Sequence, residues 1–126
     1  FKANTNDTRE TPAVNICKWL IEEGAILNIY DPKVTSDQIN NELIKVNNSI
    51  KNKQKWNYKN NILDCAKETD AIIILTEWDE FRFINWSQIS KVMREPSWLF
   101  DTRSISDLSK AKECGINVWT VGKNDI

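Results

Sequence analysis

Asp70-Ala71-Ile72-Ile73-Ile74-Leu75-Thr76-Glu77-Trp78 decides the fold. Five consecutive apolar residues, Ala71 to Leu75, rich in β-branched side chains, have the length of a strand and not of a membrane span. An unbroken run of this kind, without polar alternation, is expected of a parallel strand buried on both faces. Polar residues begin at Thr76, where the strand must leave the sheet. Outward from this run, helical and extended patterns alternate. Upstream, Thr11 reads as an N-cap and Pro12 as the first residue of a helix whose apolar stripe is Ala13, Ile16, Cys17, Leu20 and Ile21, with Gly24 closing it in a left-handed cap. Ala25 to Tyr30 reads as a strand stopped by Asp31-Pro32. Ser36 to Val46 carries Ile39, Leu43 and Val46 on one side of a helix. Asn47 to Asn61, dominated by Asn and Lys with Trp56 and Tyr58 as anchors, reads as a solvated loop or insertion. Ile62 to Glu68 reads as a short helix. Downstream of the central run, Trp86 to Met93 is helical with Asn85 as its cap, and Trp98 to Phe100 is a short strand. Ser106 to Glu113 is a helix closed by Gly115, and Ile116 to Val121 is the last strand. The alternation predicts an α/β, Rossmann-like, three-layer α/β/α domain over residues 1–126, with a mostly parallel sheet. Its first strand is expected to be truncated, with only Phe1 left of it, and a sheet so cut exposes edges that recruit another strand or chain.

Composition narrows the function. The 126 residues carry 17 Lys and Arg against 18 Asp and Glu, a net charge of −1. That balance disfavours a nucleic-acid partner, which calls for a basic excess, and no apolar run is long enough for a membrane partner. The absence of His removes the commonest general base and metal ligand, so no metal site is expected. Three widely spaced cysteines, Cys17, Cys65 and Cys114, form no CxxC pair. Their odd count suits a reducing, cytoplasmic setting. Cys17 falls on an apolar stripe and reads as core. Cys65 and Cys114 lack a cationic motif that would activate a thiol and read as structural. No catalytic residue is expected in this chain. Trp19, Trp86, Trp98 and Trp119 read as core or rim packing.

Open parallel sheets bind ligands outside the carboxyl ends of their strands. By that rule the distinctive polar residues gather at one rim: Lys2 to Arg9 after the truncated strand, Asp31 after the second, Thr76-Glu77-Trp78-Asp79 after the third, Asp101-Thr102-Arg103 after the fourth, and Gly122-Lys123 after the last. Loops are polar for solvation alone, so each cluster by itself is weak, and the coincidence of Lys2, Glu77-Trp78 and Arg103 is stronger. The first loop lacks GxGxxG, without which a backbone cannot approach a dinucleotide pyrophosphate in the usual manner. Asp31, placed where such domains keep a ribose-binding acid, reads as a turn residue before Pro32. Side-chain cations, Lys2 and Arg103, are the better phosphate ligands. Asp7 and Arg9 are expected to shape the loop as an ion pair, and Glu77, Trp78 and Asp101 are further candidate site-shaping residues.

Five pieces in order, Phe1-Lys2-x-x-Thr5-x-Asp7-x-Arg9-x-x-Pro12, Gly24-(x)5-Tyr30-Asp31-Pro32, Thr76-Glu77-Trp78-x-x-Phe81, Phe100-Asp101-x-Arg103 and Val121-Gly122, resemble the C-terminal, UDP-binding domain of the UDP-glucose/GDP-mannose dehydrogenase family. The likeness covers essentially the whole chain, and the Thr76-Glu77-Trp78 and Phe100-Asp101-x-Arg103 pieces favour its UDP-glucose 6-dehydrogenase members. The resemblance implies a fragment of a longer enzyme that oxidises UDP-glucose to UDP-glucuronate with two NAD. NAD would sit on an N-terminal domain, and the nucleophilic Cys upstream of this one, so that the fragment itself holds no cofactor. It implies substrate contacts from Phe1, Lys2 and Arg103, and a homo-oligomeric full-length protein with N-terminal and central domains as partners. Where the family often has Gly between the Asp and Arg, this chain has Thr102, which alters the local turn. Two alternatives stay open: a domain of a GDP-mannose or UDP-N-acetylmannosamine dehydrogenase, or a stand-alone Rossmann-like binding module.

Overall fold

The computed structural model describes residues 12–46 and 56–120. The chain divides into two compact units, Phe1–Asn61 and Ile62–Ile126.

The first unit is a β-α-β crossover preceded by a helix. Helix α1 spans Pro12–Glu22, strand β1 Leu27–Ile29, helix α2 Ser36–Val46 and strand β2 Trp56–Tyr58. Helix α1 buries Ala13, Val14, Cys17 and Ile21. Ile16 and Leu20 of the expected stripe are only half-buried, so the buried face is turned toward Val14. Gly24 ends α1 at φ +94°. Its N–H donates to the Ile21 carbonyl and the Ala25 N–H to that of Leu20, so carbonyls of the last turn are satisfied through a conformation that a Cβ disfavours. Helix α2 opens on a reciprocal cap that the sequence reading passed over. Thr35 Oγ1 accepts from the Gln38 N–H at 3.2 Å, and Gln38 Oε1 accepts from the Thr35 N–H at 2.9 Å. Ile39 and Leu43, its inward residues, are fully buried.

Strand β2 adds a short extended segment to the stretch Asn47 to Asn61, expected to be mostly solvated loop or insertion with Trp56 and Tyr58 as anchors. Leu27 pairs with Trp56, Asn28 with Asn57 and Ile29 with Tyr58, in parallel. Trp56 and Tyr58 are half-buried while Asn57 is exposed. This is a three-residue strand written by two aromatic residues, and it is too short to stand out from its Asn/Lys surroundings. Residues 47–55 of that stretch lie outside the described residues.

The second unit holds helix α3 (Ile62–Ala66), strand β3 (Ala71–Ile74), a 3-10 turn (Asp79–Phe83), helix α4 (Trp86–Val92), strand β4 (Trp98–Asp101), helix α5 (Leu108–Glu113) and strand β5 (Asn117–Thr120). The sheet order is β3-β4-β5, all parallel. Asn85 caps α4 as expected, its side chain accepting from the Gln88 N–H at 3.2 Å. Asp107 caps α5, accepting from the Lys110 N–H at 3.1 Å, so this helix starts two residues later than the apolar pattern suggested.

One face of this sheet is the core. Ile74, Leu99, Asp101 and Thr120 are buried, as are Trp86 and Ile89 of α4 and Ala111 of α5. The other face corrects the expectation of a strand buried on both sides. Ile73, Phe100 and Trp119 stand side by side in register. Ile73 is 37% exposed, Trp98 40% and Trp119 48%. The rings of Trp98 and Phe100 stack at 5.7 Å, and Phe100 and Trp119 are tilted at 6.2 Å. Trp19 is likewise exposed, at 55%, so of the four tryptophans expected to pack only Trp86 is fully buried. Apolar runs carry no sign of which face is covered, and this is why the sequence overstated the burial.

Leu99 is fully buried at the middle of the central strand. Leu99→Ala is expected to cost about 2–5 kcal/mol, measured by chemical denaturation of the second unit's transition. A cost below about 1 kcal/mol would show that this face is not the core.

Candidate functional site

The carboxyl ends of β3 and β4 place the candidate residues. Beyond β4 the chain turns sharply through Asp101-Thr102-Arg103-Ser104-Ile105-Ser106, and the turn is built around one carboxylate. Asp101, fully buried, accepts from the Arg103 N–H at Oδ1 (3.0 Å). Its Oδ2 accepts from the Ile105 N–H (3.0 Å), the Ser106 N–H (2.8 Å) and the Ser106 hydroxyl (2.6 Å). Four donors on one buried carboxylate compensate its removal from water and lock the path of the backbone. Thr102 adds a clamp to the neighbouring strand: its N–H and hydroxyl both donate to the Ile74 carbonyl, at 3.1 and 2.6 Å. Thr102 thus stitches β4 to the end of β3. Ser104 takes φ +53°, a left-handed conformation uncommon for a non-glycine residue.

Arg103 is carried out of this turn. Its guanidinium Nη2 forms an ion pair with Glu77 Oε1, and both side chains are 45% exposed. Glu77 arrives from the end of β3, so the parallel register of β3 and β4 brings the two together. Trp78, next in sequence, is 2% exposed, and its carbonyl accepts from the Phe81 N–H at 3.0 Å to open the 3-10 turn. Its ring belongs to the core. On the first unit, Asp31 is buried, and its Oδ1 accepts from the Lys33 N–H at 2.9 Å. That is the turn role expected of it.

The structure therefore unites Glu77, Trp78, Asp101 and Arg103 on one loop cluster. Phe1, Lys2, Asp7 and Arg9 lie outside the described residues, as do Gly122 and Lys123. Sequence reasoning missed Ser106 as a contributor, and it marked Thr102 at the turn without finding its tether to Ile74. Their signal was an Asp followed within five residues by Thr and two Ser, a composition that favours side-chain-to-backbone turns.

Cys17 is buried, and burial pushes its thiol up from 9.0 to about 11. A thiol so held is protonated at neutral pH and is no nucleophile. An open recess of about 320 Å³ between α3, the 3-10 turn and α4 is lined by Ile62, Leu63, Phe83, Ile84 and Ile89 with Glu80. Its apolar wall and acidic member do not suit a phosphate.

The model of the UDP binding domain of the UDP-glucose/GDP-mannose dehydrogenase family matches residues 1–108. The chain belongs to this family. UDP-glucose 6-dehydrogenase 2 of Arabidopsis thaliana is 37% identical over 98% of the chain, and the chain spans 28% of that relative's length. The UDP-glucose 6-dehydrogenases of Drosophila melanogaster and Caenorhabditis elegans are 40% and 39% identical over 98% and 97% of the chain, which spans 26% and 25% of their lengths. Among solved structures, a UDP-D-ManNAc dehydrogenase from Pyrococcus horikoshii superposes with TM-score 0.52 at 20% identity, over 90% of this chain and 30% of that one. At that identity the likeness bears on the fold, and it agrees with a Rossmann-like α/β architecture. Among the described residues, no helix is long and apolar enough to cross a membrane.

Two measurements check this geometry. Asp101→Asn replaces an acceptor oxygen by a donor among four donors. It is expected to cost about 2–4 kcal/mol and to speed amide exchange at Ile105 and Ser106. Unchanged protection at those two amides would contradict the anchoring role. For Cys17, the raised thiol favours the folded state fully below pH 9 and less as pH climbs toward 11. At pH 8 a charged disulfide reagent should label half-buried Cys65 and Cys114 ahead of Cys17. Prompt labelling of Cys17 in the folded protein would refute its burial.

Proposed function

We propose that residues 1–126 form one UDP-sugar-binding domain of a longer, NAD-dependent UDP-glucose 6-dehydrogenase that converts UDP-glucose to UDP-glucuronate. The observation that carries the reading is the match to a UDP binding domain together with Arg103, held at the carboxyl end of β4 on a turn anchored by Asp101. The relatives' shared name supports UDP-glucose as the sugar nucleotide.

In this reading Arg103 donates charge-assisted hydrogen bonds to the diphosphate. A planar guanidinium suits two phosphate oxygens at once. Phe1 and Lys2 contribute further contacts, and Asp7 and Arg9 shape their loop. Asp101 and Thr102 keep the Arg103 backbone in place. Catalysis is absent from this domain. Its three glycines, Gly24, Gly115 and Gly122, are too far apart to make the GxGxxG turn, so NAD belongs to another part of the whole protein, as does the nucleophilic cysteine. NAD there supplies the hydride acceptor. The whole protein is a homo-oligomer and works in the reducing cytoplasm, consistent with three cysteines that form no disulfide here.

Calorimetry on the full-length protein that carries this chain tests the reading with UDP, UDP-glucose, GDP and GDP-mannose. UDP and UDP-glucose should bind, with the guanine nucleotides weaker. Arg103→Ala should weaken UDP by roughly 10- to 100-fold, the loss of one charged hydrogen-bonding group. Preference for GDP-mannose would reassign the substrate within the family. UDP binding indifferent to Arg103→Ala would remove this rim from the site.

A further inference from the structure

We propose that Glu77 is a built-in competitor for Arg103, neutralising its guanidinium while the rim is empty and yielding it to the diphosphate of the incoming nucleotide sugar. The inference rests on the reading of this rim as a UDP-sugar site and adds a determinant of its affinity. The pair is the observation that carries it. A cation meant for phosphate is already engaged by an anion of the same chain, reaching over from the next strand.

Three features make the pair exchangeable. Both partners are 45% exposed, so water replaces either one at little cost when the pair opens. The pair joins Arg103 Nη2 to one carboxylate oxygen of Glu77, and a guanidinium carries five N–H donors, enough to receive a first phosphate oxygen beside it. The turn that carries Arg103 is held by Asp101 and Thr102 through backbone groups, independently of Glu77, so the site does not collapse when the pair breaks.

The surroundings give the exchange a direction. Asp79 and Glu80 follow Glu77 after Trp78, and Arg82, the nearest cation in sequence, is engaged with Asp79 at 3.6 Å. The β3 side of the rim thus carries an acidic excess. An arriving anion is attracted to Arg103 only insofar as Glu77 gives it up, and a diphosphate, with more charge and more acceptor oxygens than a carboxylate, wins that competition. Glu77 then weakens binding of every anion at this point, and one with no more charge than its own carboxylate does not displace it.

The test is UDP calorimetry at fixed, low ionic strength on the full-length protein in four forms: unaltered, Glu77→Gln, Arg103→Ala and the double variant. Gln keeps the shape and an acceptor oxygen and removes the charge. Glu77→Gln is expected to tighten UDP binding about two- to fivefold, the size of an exposed ion pair. In the Arg103→Ala background the same change should lose that gain. If Glu77→Gln leaves UDP affinity unchanged or weakens it while Arg103→Ala still weakens it, Glu77 positions or ignores Arg103. The competitor role then falls while the UDP site stands. If Arg103→Ala has no effect on UDP, both the site and the inference fall.

Discussion

One buried carboxylate governs the candidate site. Asp101 ends the central strand of the parallel sheet formed by β3, β4 and β5 among the described residues. Its two oxygens collect the amide hydrogens of Arg103, Ile105 and Ser106 and the Ser106 hydroxyl. The loop therefore has a defined path although it lacks regular structure. A carboxylate stripped of water is tolerated only when donors replace the water, and here the donors are the loop itself. Folding of the turn and satisfaction of the charge are one event.

That constraint divides labour along the rim. Asp101 and Thr102 hold the backbone, Trp78 is buried in the core, and the Glu77 and Arg103 side chains reach solvent. The exposed guanidinium of Arg103 thus stands on an anchored turn. This suits recognition of a phosphate, since a planar cation can reorient without moving the chain that bears it.

Much of this was legible in the residues. The apolar run Ala71 to Leu75, the glycine stop at Gly24 and the Asn85 cap each rest on a local rule, and each appears where the rule puts it. Glu77, Asp101 and Arg103 could be gathered from sequence because parallel strands deliver their C-terminal loops to one edge. Other features depend on neighbours that a linear pattern does not reveal. Strand β2 exists because Trp56 to Tyr58 find the edge of β1. The exposure of Ile73 and Trp119 depends on which sheet face the helices cover. The Arg103–Glu77 pair depends on side-chain reach across 26 residues of chain. Arg103 and Glu77 were both singled out, but their engagement with each other was visible only in three dimensions.

Thr102 carries a last consequence. Its hydroxyl ties the turn to Ile74, two residues before Ser104 adopts a left-handed backbone. A chain with glycine at the first position would meet the needs of the turn through backbone freedom, whereas this chain meets them with a side-chain tether and a strained neighbour. The tether at 102 and the left-handed backbone at 104 belong to one turn, so a change at 102 also removes a bond to the neighbouring strand.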